Sequence, residues 1–231
     1  MHHININTLL KTKKYIICLF VISIITYIFG IYYGFFVAPI DYLQQETVRI
    51  MYIHVPSAWI SILIYIAMGM LSAITVIYNN NITDILTYSL APIGLSFTII
   101  CLITGSIWGA PVWGTWWVWD ARLTSMLILG LFYYIYINIW DNNKKSSRIA
   151  SIINIIGLIN IPIIKFSVYI WNTLHQKSSI FRSDGLSMDK QMFYSLLIMF
   201  LASAMITIVF AYYRIITLLA TQKIKRIINN M

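Results

Sequence analysis

The sequence predicts an all-α integral membrane protein with six transmembrane helices and a tryptophan-rich outer loop, and three observations carry that expectation. Of 231 residues, 60% are hydrophobic and only 10% charged; apolar runs of membrane-crossing length recur six times; and Lys and Arg gather in short clusters between those runs. A mean hydropathy of +0.79 places the chain outside the composition of soluble globular domains. The formal net charge of +9 does not point to nucleic acid, because the cations form no basic face. Their placement is topological.

Crossing the hydrocarbon core takes roughly 20 apolar residues in a helix, which pairs its own backbone groups where water is missing. The segments that qualify are about Tyr15 to Val37, Ser57 to Tyr78, Ile85 to Ile107, Leu123 to Trp140, Ile149 to Tyr169 and Gln191 to Tyr213. The first follows Lys11, Lys13 and Lys14. It is longer than the roughly 7–15 residues of a signal-peptide core and carries no small-x-small cleavage pattern, so it is expected to remain as a span. The whole chain, 1–231, is expected to form a single membrane domain.

Lys and Arg near span ends mark the cytoplasmic side. With both termini inside, the inner set holds Lys11, Lys13, Lys14, Lys144, Lys145, Arg148, Arg214, Lys223, Lys225 and Arg226; the outer set holds Arg49, Arg122, Lys177, Arg182 and Lys190, with Lys165 near the outer end of the fifth span. The bias favours cytoplasmic termini, blunted by the three cations between Ile170 and Lys190. That orientation puts the longer connections (Ala38 to Pro56, Trp108 to Arg122, Ile170 to Lys190) outside, where functional chemistry is expected.

The two cysteines, Cys18 and Cys101, lie in separate apolar runs; they offer no disulfide framework or CxxC pair and read as small packing residues. No CxxCH occurs, so covalent attachment of a c-type heme is not expected.

Five of the eight tryptophans fall in Trp108-Gly-Ala-Pro-Val-Trp113-Gly-Thr-Trp116-Trp117-Val-Trp119-Asp120. A membrane-surface aromatic belt would spread its tryptophans over several span ends and would not need the glycines and proline among them. If the second half is helical, Trp113, Trp116 and Trp117 share a face at i, i+3, i+4 and form a flat apolar platform.

The run WGAPVWGTWWVWDARLTS resembles the tryptophan-rich "WWD" signature of heme-handling membrane proteins, and its continuation Asp120-Ala121-Arg122-Leu123-Thr124-Ser125 resembles the CcmC family of cytochrome c maturation in particular. Met51-Tyr52-Ile53-His54-Val55-Pro56-Ser57-Ala58-Trp59 and Trp171-Asn172-Thr173-Leu174-His175-Gln176 are similar to that family's two outer histidine motifs. Three motifs in the right order cover the six-span layout. The chain departs from the family at Tyr169 and Ile170, where an acidic residue and a second tryptophan are common.

The resemblance implies cytochrome c-type biogenesis. Heme would be bound non-covalently at the outer face, with His54 and His175 as axial ligands of its iron; neutral imidazole is a standard heme ligand. Trp108, Trp113, Trp116, Trp117 and Trp119 would receive the porphyrin. Arg49 and Arg122 would meet its propionates, which need cations at a membrane edge, and Asp120 would either assist or cap the fourth span. His2 and His3 precede the first span on the opposite side and are rejected as ligands. The implied partners are the heme chaperone CcmE, whose own histidine becomes joined to a heme vinyl group, the small subunit CcmD and the CcmA/CcmB ATPase. The implied location is a bacterial inner membrane or an equivalent organelle membrane. The implied role is binding and delivery, not enzymatic catalysis.

Two other functions fit the sequence less well. A cytochrome b-like subunit places histidine pairs inside its spans, and no histidine lies mid-span here. A transporter shows intramembrane ionisable residues or broken helices at corresponding places in two repeats, and apart from Lys165 neither is legible.

Overall fold

The computed structural model describes residues 11–229 apart from 142, 176–179, 181–184 and 186; His2, His3, Lys177 and Arg182 lie outside the described residues. Among the described residues no β-strand occurs, and six helical stretches are long and apolar enough to cross a membrane: Lys13–Val37, Glu46–Tyr78, Asn81–Trp113, Ala121–Ile139, Lys144–Ile170 and Lys190–Lys225. The expected six-span helical architecture is therefore found.

Helix α1 (Lys13–Tyr32) runs on as a π-turn, Tyr33–Val37, and packs against the last helix. A short 3-10 turn, Glu46–Ile50, leads into α2 (Met51–Tyr78), which occupies the centre of the bundle. Next come α3 (Asn81–Trp113) and α4 (Ala121–Ile139). The fifth stretch is divided into α5 (Lys144–Gly157) and α6 (Asn160–Ile170), and α7 (Lys190–Asn229) closes the chain. At 1.5 Å per residue, the 40 residues of α7 reach about 60 Å, twice the roughly 30 Å hydrocarbon thickness. The end of α7 therefore extends past the membrane core.

The helix starts follow capping chemistry. Asn80, Asp120 and Asn143 each accept a backbone N–H of the first turn, from Ile82, Leu123 and Ser146, satisfying donors that the helix leaves orphaned. The division of the fifth stretch has a local cause. Pro162 has no N–H for the Leu158 carbonyl and its ring crowds that carbonyl, and the chain answers with i to i+3 bonds from Leu158, Ile159 and Ile161. Asn160, at the break, donates to the Ser125 carbonyl on α4 (2.8 Å).

Tyrosines knit the core between α2, α3, α4 and α5. Tyr133 donates to the Ser61 carbonyl (2.6 Å), Tyr65 to the Asn154 carbonyl (3.2 Å), and both rings are fully buried. Gly94 permits this packing, because a Cβ there would run into the Tyr133 ring. A buried tyrosine keeps its polar tip satisfied while contributing apolar area.

The structure corrects two boundaries. Helix α3 continues through Pro111 to Trp113, so the connection reduces from the expected 108–120 to Gly114–Asp120. It ends on Gly114, whose φ of +73° suits glycine and whose N–H bonds the Ala110 carbonyl. Helical structure also begins before Ser57, and His54 lies in the first turn of α2.

Candidate functional site

His54 projects from the start of α2 toward α3. Its Nδ1 lies 3.0 Å from the Cys101 carbonyl and 3.2 Å from Thr104 Oγ1. The carbonyl can only accept, so the ring carries its proton on Nδ1 and leaves the Nε2 lone pair free. The ring packs edge-on against Trp108, with centroids 5.7 Å apart.

His175 reaches the same region from the non-helical chain after α6. Its ring stands 4.9 Å from that of Trp113. Its Nδ1 is buried without a hydrogen-bond partner among the described residues and lies 3.8 Å from Asp120 Oδ2. Asp120 itself is buried: Oδ1 accepts from Leu123 N–H (2.8 Å) and Oδ2 from Leu174 N–H (3.3 Å). Burial by itself would raise the Asp120 carboxyl; the His175 imidazole and those two N–H groups outweigh it and hold the group below the usual carboxylate range.

His54 and His175 line one cavity of about 110 Å³ together with Cys101, Trp113, Trp117 and Arg122. Arg122 is half-buried there, two residues after the Asp120 cap, and makes no hydrogen bond or ion pair among the described residues. Trp117 Nε1–H is also buried without a partner among them. The cavity thus gathers two imidazoles, three indoles (Trp59, Trp113 and Trp117), a guanidinium and an unused N–H donor. A flat apolar ligand bearing anionic groups and a metal that takes nitrogen donors matches this set. The volume is below the ~300–1,000 Å³ of pockets that enclose drug-sized molecules, so a porphyrin would have to lie partly outside it.

Other expected site residues are not brought to the cavity wall. Residues 114–120 are not helical, so the register that would align Trp113, Trp116 and Trp117 is not formed; Trp116 and Trp119 stand 65% and 75% exposed. Trp108 donates from Nε1 to Gln44 Oε1 (2.8 Å), tying α3 to the connection between α1 and α2. Arg49 donates from Nη1 to the Gly34 and Ala38 carbonyls (2.8 and 3.3 Å) and pairs with Glu46. It braces the end of α1 against the start of α2.

Sequence reasoning passed over Cys101, Gly105 and Trp59, all on the cavity wall. Cys101 read as packing, and its side chain is 4% exposed; its backbone carbonyl takes the Nδ1–H of His54, and its Sγ lies 4.0 Å from Nε2. A backbone acceptor leaves no mark in a side-chain motif.

A family model described as Heme exporter protein C matches residues 4–229. The heme exporter protein C of Bradyrhizobium diazoefficiens is 47% identical over 168 residues, covering 71% of this chain and 64% of that protein. A ccmC-like mitochondrial protein of cytochrome c biosynthesis from Marchantia polymorpha is 52% identical over 151 residues, 65% of each chain. The heme exporter protein C of Escherichia coli is 45% identical over 160 residues, 68% of this chain and 65% of that one. The matches span just under two thirds of the length of these relatives.

Proposed function

The chain belongs to the heme exporter protein C family, and from that premise we propose that it binds heme between His54 and His175 and delivers it for cytochrome c assembly. One observation carries the proposal: two histidines 121 positions apart in sequence line a single cavity with Trp113, Trp117 and Arg122. Bound heme would supply an iron that takes nitrogen donors, an apolar ring and a pair of carboxylates.

The chain's residues answer each part. His54 Nε2 would be the neutral donor to iron, because Nδ1–H is held by the Cys101 carbonyl, and a hydrogen bond on the far ring nitrogen orients a ligand and raises its basicity. Trp113 and Trp117 offer apolar faces to the ring. Arg122, which makes no hydrogen bond or ion pair among the described residues, would meet a propionate. The exposed Trp116 and Trp119 cover porphyrin that the small cavity leaves outside. The protein binds and orients the heme without catalytic residues of its own.

In this reading the termini are cytoplasmic and the cavity faces outward, in a bacterial inner membrane or its organelle equivalent. The recipient is the heme chaperone CcmE, and CcmD with the CcmA/CcmB ATPase completes the complex. Delivery requires ligands that can let go, which a shallow cavity with one ligand on irregular chain allows.

An absorption spectrum of the protein purified in detergent and loaded with heme tests the site. The expected result is a low-spin, two-imidazole spectrum, weakened in His54→Ala and in His175→Ala and restored in each by free imidazole. Absence of heme binding, or an unchanged spectrum in either variant, overturns the assignment.

A further inference from the structure

The two candidate ligands are held by different means. His54 stands on a helix, and a backbone carbonyl of the neighbouring helix fixes its Nδ1. His175 follows α6 on irregular chain, so no helical register sets the direction of its ring or the position of its ring proton. Something outside that segment must do so if Nε2 is to present a lone pair.

From this contrast we infer that Asp120 is the positioning residue for His175, accepting its Nδ1–H so that Nε2 is left for the iron; the inference deepens the heme-site reading and rests on it. Three observations support it. His175 Nδ1 is buried and unpaired among the described residues, a costly state for a ring nitrogen, and Asp120 Oδ2 is the oxygen that faces it at 3.8 Å. A closure of about 1 Å makes the bond, within the ~2.7–3.2 Å of an N–H···O contact. Asp120 is also already bound to the histidine segment, since Oδ2 accepts the N–H of Leu174, the adjacent residue. Finally, Oδ1 is anchored by Leu123 N–H at the head of α4, so the carboxylate is a fixed reference joining helix and loop. A direct propionate contact is the poorer role for Asp120, because both oxygens are engaged and two carboxylates repel.

The discriminating variant is Asp120→Asn. Asparagine is as good an N-cap as aspartate, so its Oδ1 can keep the Leu123 bond while its Nδ2, a donor, cannot accept the His175 proton. The full chain, labelled with ¹⁵N-histidine and purified without heme, reports the tautomer directly, with His175→Ala used to assign the signal. The expected result is an Nδ1–H tautomer in the unaltered protein and its loss in Asp120→Asn, with helix content unchanged by circular dichroism. Heme affinity should then fall about 10- to 100-fold, as for other outer-shell partners of metal ligands. Free imidazole should restore the low-spin spectrum.

An Nε2–H tautomer in the unaltered protein overturns the inference without any variant, and so does an Asp120→Asn protein that keeps Nδ1–H. The heme-free readout separates this outcome from failure of the heme site itself. If heme did not bind, the site reading would fall, while the tautomer would still decide whether Asp120 sets the ring.

Discussion

The Nδ1 of His54 lies 3.0 Å from the carbonyl oxygen of Cys101, on the neighbouring helix and 47 positions further along the chain. The ring can lie that close because Gly105, one turn further along α3, has no side chain. A Cβ there would sit 2.9 Å from His54 Cε1. The glycine leaves room for a ring rather than for a backbone turn.

Gly105→Ala should therefore leave the bundle intact and disturb the ligand. The clashing atom is the far end of a side chain that can rotate away, whereas the helix gains from alanine, which is favoured over glycine in a helix by about 0.8–1.0 kcal/mol. Thermal stability in detergent should be unchanged or slightly raised, while the heme spectrum shifts from low-spin toward a weaker-field form. A spectrum identical to that of the parent protein would show that the His54 position does not depend on this gap.

The tryptophans should divide into two groups. Trp113 and Trp117 line the cavity, whereas Trp116 and Trp119 stand mostly exposed. Trp113→Ala with Trp117→Ala should lower heme retention strongly, because both apolar faces beside the histidines are lost. Trp116→Ala with Trp119→Ala should retain heme in the isolated protein with a smaller loss. Phe at 113 and 117 should rescue in part, since an aromatic face remains. Equal losses in both pairs, measured by heme titration, would return the run to a plain belt.

The number of spans was legible because the apolar runs are long and the constraint of unpaired backbone in lipid is severe. The ends were less so. Pro111 looked like a loop residue, yet the chain stays helical to Trp113 and stops on Gly114, two residues where sequence signals for helix and turn overlap. Pro162 was the sequence signal for the break at Leu158 and Ile159, but the uninterrupted apolar run around it made the stretch read as one span. At the site, the motifs singled out His54 and His175 as side chains. They could not show that Arg49 is occupied with the Gly34 and Ala38 carbonyls or that Asp120 reaches across to Leu174, because both facts depend on contacts between distant segments.

The orientation can be checked independently of heme. Lys and Arg weigh toward cytoplasmic termini, and with six spans Lys144, Lys145 and Arg148 at the start of α5 would then stand on the same side. A cysteine at position 116, tested in a variant with Cys18→Ser and Cys101→Ser, should react with a membrane-impermeant maleimide in intact cells. A cysteine at position 145 should react only after the membrane is opened. The reverse pattern would place the cavity on the cytoplasmic face and remove the proposed delivery route.

The two arginines nearest the site should respond in opposite ways. Arg49 donates to two carbonyls at the end of α1 and pairs with Glu46, so Arg49→Gln should loosen the junction of α1 and α2. A hydrogen bond to a charged group contributes about 1.5–3 kcal/mol, and the loss should appear as a lower unfolding midpoint in detergent. Heme affinity should change mainly in proportion to the fraction of folded protein. Arg122 lines the cavity and makes no hydrogen bond or ion pair among the described residues, only longer-range attraction to Asp120, so Arg122→Gln removes little that holds the fold. Its unfolding midpoint should stay close to that of the parent, while heme affinity falls about 10- to 100-fold, from the same ~1.5–3 kcal/mol now spent on a propionate. Heme esterified at both propionates supplies the control, since it carries no anionic carboxylates for the guanidinium to hold. The parent should bind the diester as weakly as the Arg122 variant does, and the variant should no longer distinguish the two hemes. If the variant still preferred free heme over the diester, Arg122 would not be the propionate partner, and the cation would have to come from elsewhere at the cavity mouth.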